Sequence, residues 1–344
     1  METKLLPADS AGIALACRLL RQGQVVGIPT ETVYGLAANA LDPEAAHRIY
    51  AAKGRPSDNP LIVHIAEFQD LYPLVAHCPK LAEKLADAFW PGPLTMIFPK
   101  SDKVPAATTG GMGTVAVRMP AHPAAREIIK ECGLPLAAPS ANLSGKPSPT
   151  KASHVYQDMK GRIPLILDGG DCRVGVESTV IAVYEDSVRL LRPGGITVEM
   201  LSEYCQVIVD DGVLHQLKEG EKALSPGMKY KHYAPSAQVI LLDGPEDAFI
   251  QYVNSHAGEG VYAMAGEQEA KRLSVPALPF GGEDEEAEQA RQLFECLREC
   301  DEKGAKTVYA RLPDAKGVGL AVLNRLLRAA GFTVIALDKE DVHG

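Results

Sequence analysis

Short apolar runs alternate with stretches of helical periodicity along residues 1–210. Strands buried on both faces and joined by amphipathic helices give this pattern. Residues 25–28 (Val-Val-Gly-Ile) read as a buried strand, with further strands over 61–65, 94–98, 115–117, 134–137 and 163–167. Residues 179–184 pair with 188–191 as a hairpin across Glu185-Asp186-Ser187. Helices are predicted over 43–53 and 79–89, the second closed by Trp90-Pro91-Gly92-Pro93, and from Pro123 to a stop at Gly133. The first has complete punctuation: Asp42 caps it, Pro43 takes its first position and Gly54 lies just past its end. The mixture specifies a twisted α/β sheet with both parallel and antiparallel neighbours.

Over residues 211–235 the periodicity dissolves into polar and small residues, ending in Ser225-Pro226-Gly227-Met228-Lys229-Tyr230-Lys231-His232-Tyr233-Ala234-Pro235. Pure linkers are Gly/Ser-rich or highly charged. The aromatic and basic residues packed into this one leave a binding role and a plain connector both open. Strand and helix then alternate to the end of the chain. Strands are predicted over 239–242, 261–264, 307–310 and 333–337, with helices over 283–303 and 318–330. That is the rhythm of a small parallel, Rossmann-like α/β domain. Lys316-Gly317-Val318-Gly319 lacks both the dinucleotide and the Walker spacing, and reads as a strand-to-helix turn. The expected organisation is a first domain over 1–210, a linker over 211–235 and a smaller domain over 236–344, which suits a chain of 344 residues.

Charge sharpens the division. Residues 236–344 carry 11 Lys and Arg against 19 Asp and Glu, so most of the net charge of −9 lies there and argues against a broad nucleic-acid footprint on that part. The N-terminal sequence has no signal-peptide pattern, and no apolar run reaches the ~20 residues of a membrane helix, so a cytoplasmic protein is expected. Seven cysteines without framework spacing fit reduced thiols. Cys296 and Cys300, one helical turn apart with no partner pair, read as packing residues, and no metal site of the protein's own is expected.

The chemistry lies in loops at strand ends. Lys53-Gly54-Arg55-Pro56-Ser57-Asp58-Asn59-Pro60 puts two cations beside a helix stop, where the macrodipole alone would favour them. Pro29-Thr30-Glu31-Thr32-Val33-Tyr34-Gly35-Leu36 sets hydroxyls directly after a buried strand. Gly110-Gly111-Met112-Gly113-Thr114 precedes a strand that exits at Arg118, and Ala138-Pro139-Ser140-Ala141-Asn142-Leu143-Ser144-Gly145-Lys146-Pro147-Ser148 follows one. Val176-Glu177-Ser178-Thr179 and Arg192-Pro193-Gly194-Gly195 flank the hairpin. Alone, each makes a turn for local reasons. Together they supply cations for phosphates and small donors to position them. No nucleophile elbow, zinc-protease helix or Walker box is present. Such a site works by positioning and charge, without a covalent enzyme intermediate.

Lys53-Gly54-Arg55 followed far downstream by Ser140-Ala141-Asn142 resembles the lysine-x-arginine and serine-x-asparagine signature of the YrdC-type threonylcarbamoyl-AMP synthases. The Pro29 to Leu36 segment, Pro60-Leu61-Ile62-Val63-His64, Pro91-Gly92-Pro93-Leu94-Thr95 and Arg192-Pro193-Gly194 fit the same family, and Ser225 to Pro235 resembles the connector of its longer, two-domain form. The resemblance implies that L-threonine, bicarbonate (or CO2) and ATP, with Mg²⁺ on the phosphates, become threonylcarbamoyl-adenylate and pyrophosphate. It further implies that Thr32, His64, Arg118, the backbone of Ala138, and Ser178 surround threonine. Lys53, Arg55, Asn59, Thr114, Ser140, Asn142, Ser148 and Arg192 would hold the nucleotide, with Lys53, Arg55, Ser140 and Asn142 as the catalytic signature. Tyr230, His232 and Tyr233 would form a flap. A downstream threonylcarbamoyl transferase complex and tRNA are the implied partners. Two alternatives stand beside this: a double-stranded RNA-binding protein of the same fold, and a carbamoyltransferase of the hydrogenase-maturation type, whose zinc-finger cysteine pairs this chain lacks.

Overall fold

The computed structural model describes residues 1–215, 233–282 and 285–337. Two compact units divide the chain. Met1–Ser144 and Ser148–Val213 belong to the first; Gly145–Pro147 and the described residues from 233 onward belong to the second.

The first unit is built on a mixed sheet, eleven-stranded among the described residues. Its strands are β1 (Lys4–Pro7), β2 (Val26–Ile28), β3 (Gly35–Asn39), β4 (Ile62–His64), β5 (Leu94–Pro99) and β6 (Thr114–Arg118). They continue with β7 (Leu136–Ala137), β8 (Leu165–Asp168), β9 (Thr179–Val183), β10 (Ser187–Arg192) and β11 (Gln206–Val209). The spatial order is β1-β8-β2-β3-β7-β4-β6-β5-β9-β10-β11. Parallel pairs such as β4 with β6 and β5 with β9 alternate with antiparallel ones such as β5 with β6 and the β9–β10 hairpin, as expected from the sequence. The central strands β2, β4 and β7 are buried along their whole length. Helix α1 (Ser10–Arg21) and the helix Pro123–Cys132 bury Ile13, Leu20, Ile128 and Ile129 against Val26, Ile28, Leu165 and Leu167.

Helix α2, between β3 and β4, spans Pro43–Lys53, the predicted bounds. Asp42 accepts a hydrogen bond from the Glu44 amide, and Gly54 closes the helix in the left-handed conformation at φ 64°. An L-residue there pays a steric penalty that glycine does not. Strands β1, β3 and β11 and helix α1 have no counterpart among the expected elements. β3 is Gly-Leu-Ala-Ala-Asn, weak in intrinsic strand preference, and is made a strand by burial between β2 and β7.

The second unit is a five-stranded sheet in the order β14-β13-β15-β12-β16, among the described residues, with all its pairs parallel. Its strands are β12 (Gln238–Asp243), β13 (Val261–Ala265), β14 (Ala277–Pro279), β15 (Thr307–Arg311) and β16 (Val334–Ala336). The long helix Glu286–Glu302 buries Cys296 and Cys300 among Leu293, Phe294 and Leu297, so both thiols pack as expected. All seven cysteines are free thiols. The turn at Gly317 joins β15 to a helix at Gly319–Ala329, in agreement with the plain-turn reading. Among the described residues no helix is long and apolar enough to cross a membrane.

Candidate active site

The order of β4, β6 and β5 sets three polar side chains in one row. His64 of β4 is in register with Arg118 of β6, which is in register with Thr95 of β5. All three are buried. Each nitrogen of the Arg118 guanidinium donates a hydrogen bond: Nε to Gly92 O at 3.2 Å, Nη1 to Thr32 Oγ1 at 2.9 Å and Nη2 to Glu31 Oε1 at 2.5 Å. Thr30 donates its hydroxyl proton to Val33 O at 2.6 Å, so its 2.9 Å contact with Thr32 Oγ1 must be one in which it accepts. A directed chain therefore runs from Arg118 through Thr32 to Thr30, and fixes the orientation of the Thr32 hydroxyl.

Glu31 and Arg118 form a buried ion pair. Burial alone would raise the Glu31 carboxyl, but the charge and hydrogen bond of Arg118 outweigh it and hold the group below its ordinary value. Burial, reinforced by the Arg118 charge, pushes the His64 imidazole down to about 3. His64 is thus neutral at physiological pH, its Nδ1 lying 3.3 Å from Ile62 O. The unfolded chain takes up a proton near pH 6.5 that the folded chain refuses until about pH 3, so His64 contributes stability that is lost as pH falls through this window. His64→Gln is expected to flatten the acid limb of the stability curve by about 1.4 kcal/mol per pH unit between roughly pH 6 and 4. Urea melts across that range measure it.

Beyond Thr95 the row continues onto the loop before β9. Ser178 Oγ lies 2.8 Å from Thr95 Oγ1 and accepts from Arg192 Nη2 at 3.2 Å, while Arg192 Nε donates to Ser178 O at 3.1 Å. The tight Arg192-Pro193-Gly194 turn makes this approach feasible. A side chain at Gly194 would collide with the backbone of residues 177–179.

The signature residues meet across 87 positions of sequence. Lys53, at the C-terminus of α2 and 2% exposed, aims its ammonium at Ser140 O, Asn142 O (2.7 Å) and Asn142 Oδ1 (3.3 Å). The Ser144 amide donates to Lys53 O at 2.9 Å. Backbone bonds from Leu36 to Pro139 O and from Ala141 to Tyr34 O lash the same loop to the Tyr34–Leu36 segment. Ala138 spends its amide on Ile62 O, so a ligand there would meet its carbonyl. Arg55, partly exposed, donates to Asn59 O and Pro60 O and so shapes the Pro56–Pro60 turn. Ser148 donates to the Glu177 carboxylate in a buried pair.

Thr114 opens β6 on the same face as Arg118 at its end, about 13 Å away along the strand. A ligand touching both has the length of a nucleotide joined to an amino acid. Tyr230 and His232 lie outside the described residues. Tyr233 packs within the second unit, its ring 5.3 Å from that of Phe294 and 5.9 Å from the Arg325 guanidinium. Sequence reasoning assigned no role to Glu31, Thr95 or Glu177. The signal available for Glu31 was an acidic residue set between hydroxyls directly after a buried strand, where a charge needs a partner.

Known proteins match both parts of the chain. The Sua5–YciO–YrdC family profile, described as "Telomere recombination", matches residues 18–194, and that of the threonylcarbamoyl-AMP synthase C-terminal domain matches residues 196–331. The chain is 47% identical to the threonylcarbamoyl-AMP synthase of Pyrococcus abyssi, over 94% of this chain and 95% of that one. It is likewise 47% identical to that of Bacillus subtilis, over 97% of each. The crystal structure of P. abyssi Sua5 complexed with L-threonine superposes with a TM-score of 0.90 at 45% identity, covering 98% of this chain and 99% of that one. Both domains are thus matched over nearly the whole chain, which belongs to the Sua5/YrdC family of threonylcarbamoyl-AMP synthases in its two-domain form.

Proposed function

We propose that this chain is an L-threonylcarbamoyladenylate synthase. It would carboxylate the amine of L-threonine with bicarbonate or CO2 and join the carbamate to the α-phosphate of ATP, releasing pyrophosphate. This is the first step toward threonylcarbamoyladenosine beside the anticodon of certain tRNAs. The observation that carries the reading is the convergence of Lys53, Ser140 and Asn142 at one point, in a chain 47% identical to named synthases over nearly its whole length.

The amino-acid end is the row of Thr32, His64, Arg118, Ala138 and Ser178. Arg118 offers a planar fork for the carboxylate. Neutral His64 and the Ser178 hydroxyl suit the threonine hydroxyl, and the Ala138 carbonyl suits the amine. Lys53, Arg55, Asn59, Thr114, Ser140, Asn142, Ser148 and Arg192 form the nucleotide end, where fixed donors meet the charge that develops as pyrophosphate departs. Mg²⁺ bound with the triphosphate would supply further neutralisation between phosphate oxygens. The Ser140 hydroxyl is a hard donor that would suit it, the Asn142 oxygens being turned to Lys53 and the Ser148 hydroxyl to Glu177, and among the described residues no cluster of three or more His, Cys, Asp or Glu side chains forms a separate site. Burial of the row keeps water from the carbamate and the mixed anhydride, both of which hydrolyse. We place catalysis in residues 1–210, the flap on Tyr230, His232 and Tyr233 within the 211–235 connector, and the smaller domain over 236–344. A cytoplasmic setting, with delivery to a threonylcarbamoyl transferase complex acting on tRNA, completes the proposal.

The test is pyrophosphate release from ATP, Mg²⁺ and bicarbonate, with L-threonine or valine as the amino acid. Release that requires threonine and bicarbonate supports the reading; threonine-independent ATP hydrolysis or none opposes it. Valine is expected to be worse by about 10⁴ in kcat/KM, because it leaves buried hydroxyl partners unpaired.

A further inference from the structure

Carboxylation of threonine needs its amine unprotonated, and an amino acid at neutral pH arrives as an ammonium. None of the residues matched to the family's threonine contacts is a base: Arg118 is a cation, and His64 sits beside that cation in a fully buried position. Glu31 is the carboxylate in this row. It is 8% exposed, its Oε1 accepts from Arg118 Nη2, and its Oε2 is buried without a hydrogen-bond partner. A buried carboxylate oxygen left unpaired costs free energy that a ligand donor would recover.

We propose that Glu31 is the proton acceptor for the threonine ammonium, and that the substrate's own carboxylate switches it on by taking its place on Arg118. The proposal rests on the synthase reading above. Glu31 occupies the Arg118 fork in the structure and is a weak base there, its charge stabilised by the guanidinium. When the threonine carboxylate enters that fork, Glu31 keeps its burial but loses its counter-ion, and both effects favour the protonated carboxyl, opposed only by the backbone of Glu31 and Ala121. The ammonium proton then passes to Oε2, leaving a neutral amine and a neutral acid. The nitrogen lone pair forms the N–C bond to CO2 while one C–O π pair moves onto oxygen. The second nitrogen proton leaves to solvent, and the resulting carbamate oxygen attacks the α-phosphorus. The charged and titratable groups facing Glu31 are Arg118 from β6, His64 from β4, His122 ahead of the helix Pro123–Cys132, and Cys172 after β8. Burial disfavours the charged form of His64, His122 and Cys172, so Arg118 is the charge that decides the carboxylate's state.

The experiment compares full-length wild-type protein with Glu31→Gln and Glu31→Asp. It follows pyrophosphate release against pH, and separately the return of ATP from threonylcarbamoyl-adenylate and pyrophosphate. The return reaction leaves the N–C bond intact and has no need of the base. Glu31→Gln is expected to lower kcat of the forward reaction by about 100-fold. Its residual rate should climb about tenfold per pH unit, following the free amine in solution, while ATP return stays within a few-fold of wild type. Glu31→Asp should fall less and keep the wild-type pH profile, a result that also decides the matter should the Gln variant misfold. A Gln variant with wild-type kcat and profile, an Asp variant with the steep profile, or equal loss in both directions overturns the role of Glu31. Absence of threonine-dependent release from the wild-type protein instead overturns the synthase reading.

Discussion

Arg118→Ala lowers the unfolding free energy by about 3–5 kcal/mol at neutral pH and abolishes threonine-dependent pyrophosphate release. The stability loss does not come from deleting a favourable pair, since burying two charges nearly offsets their attraction. It comes from what is left behind: a Glu31 carboxylate in a water-poor site with no counter-ion, and Thr32 and Gly92 oxygens without their donor. In the wild type Glu31 is held below its ordinary value, so its contribution is present at neutral pH and is lost as acid protonates it. In the variant, burial, the largest influence, is opposed only by the backbone of Glu31 and Ala121 and the carboxyl is raised, so the deficit shrinks as pH falls from about 7 to 5. The double variant Arg118→Ala/Glu31→Gln is expected to regain most of the stability and none of the activity. Chemical denaturation of the four proteins of this cycle at two pH values checks both halves. A deficit that is the same at both pH values means that the pair is not what holds this corner.

Lys53→Ala carries the second large effect, a fall of about 10²–10³ in kcat with the fold retained. Lys53 clamps the loop that bears Ser140 and Asn142 through three oxygens, two of them main-chain carbonyls. Without it these oxygens turn outward and the loop lies wrongly for the phosphates, while the charge that balances departing pyrophosphate is also gone. Lys53→Arg is expected to rescue little, because a planar fork cannot converge on three acceptors clustered around one point. Initial rates of pyrophosphate release, with calorimetry of a non-hydrolysable ATP analogue, separate loss of binding from loss of turnover. An alanine variant within threefold of wild type would remove Lys53 from the machinery.

Local signals explain what was legible in the sequence. Helix α2 was bounded correctly because Asp42, Pro43 and Gly54 each act on their own backbone, independent of the rest of the fold. The β9–β10 hairpin was legible for the same reason, its strands being joined by a short polar turn. β3 was not, because Ala37 and Ala38 have little intrinsic strand preference and become strand by pairing with Val26 of β2 and with Ala137 of β7, far along the chain. The site divides likewise. The Lys53-Gly54-Arg55 and Ser140-Ala141-Asn142 motifs can be read as strings, and the structure joins them by direct hydrogen bonds. The row of His64, Arg118 and Thr95 exists only through the order β4-β6-β5, which periodicity does not reveal. Glu31 was invisible as a functional group until Arg118, 87 residues away, was placed against it.

The most direct measurement is mass spectrometry of the product formed from ATP, L-threonine and ¹³C-bicarbonate by the purified full-length chain. The account predicts threonylcarbamoyl-adenylate carrying a single ¹³C, absent when threonine is omitted and absent with Arg118→Ala. An unlabelled threonyl-adenylate, or AMP with no adduct under any condition, would contradict it.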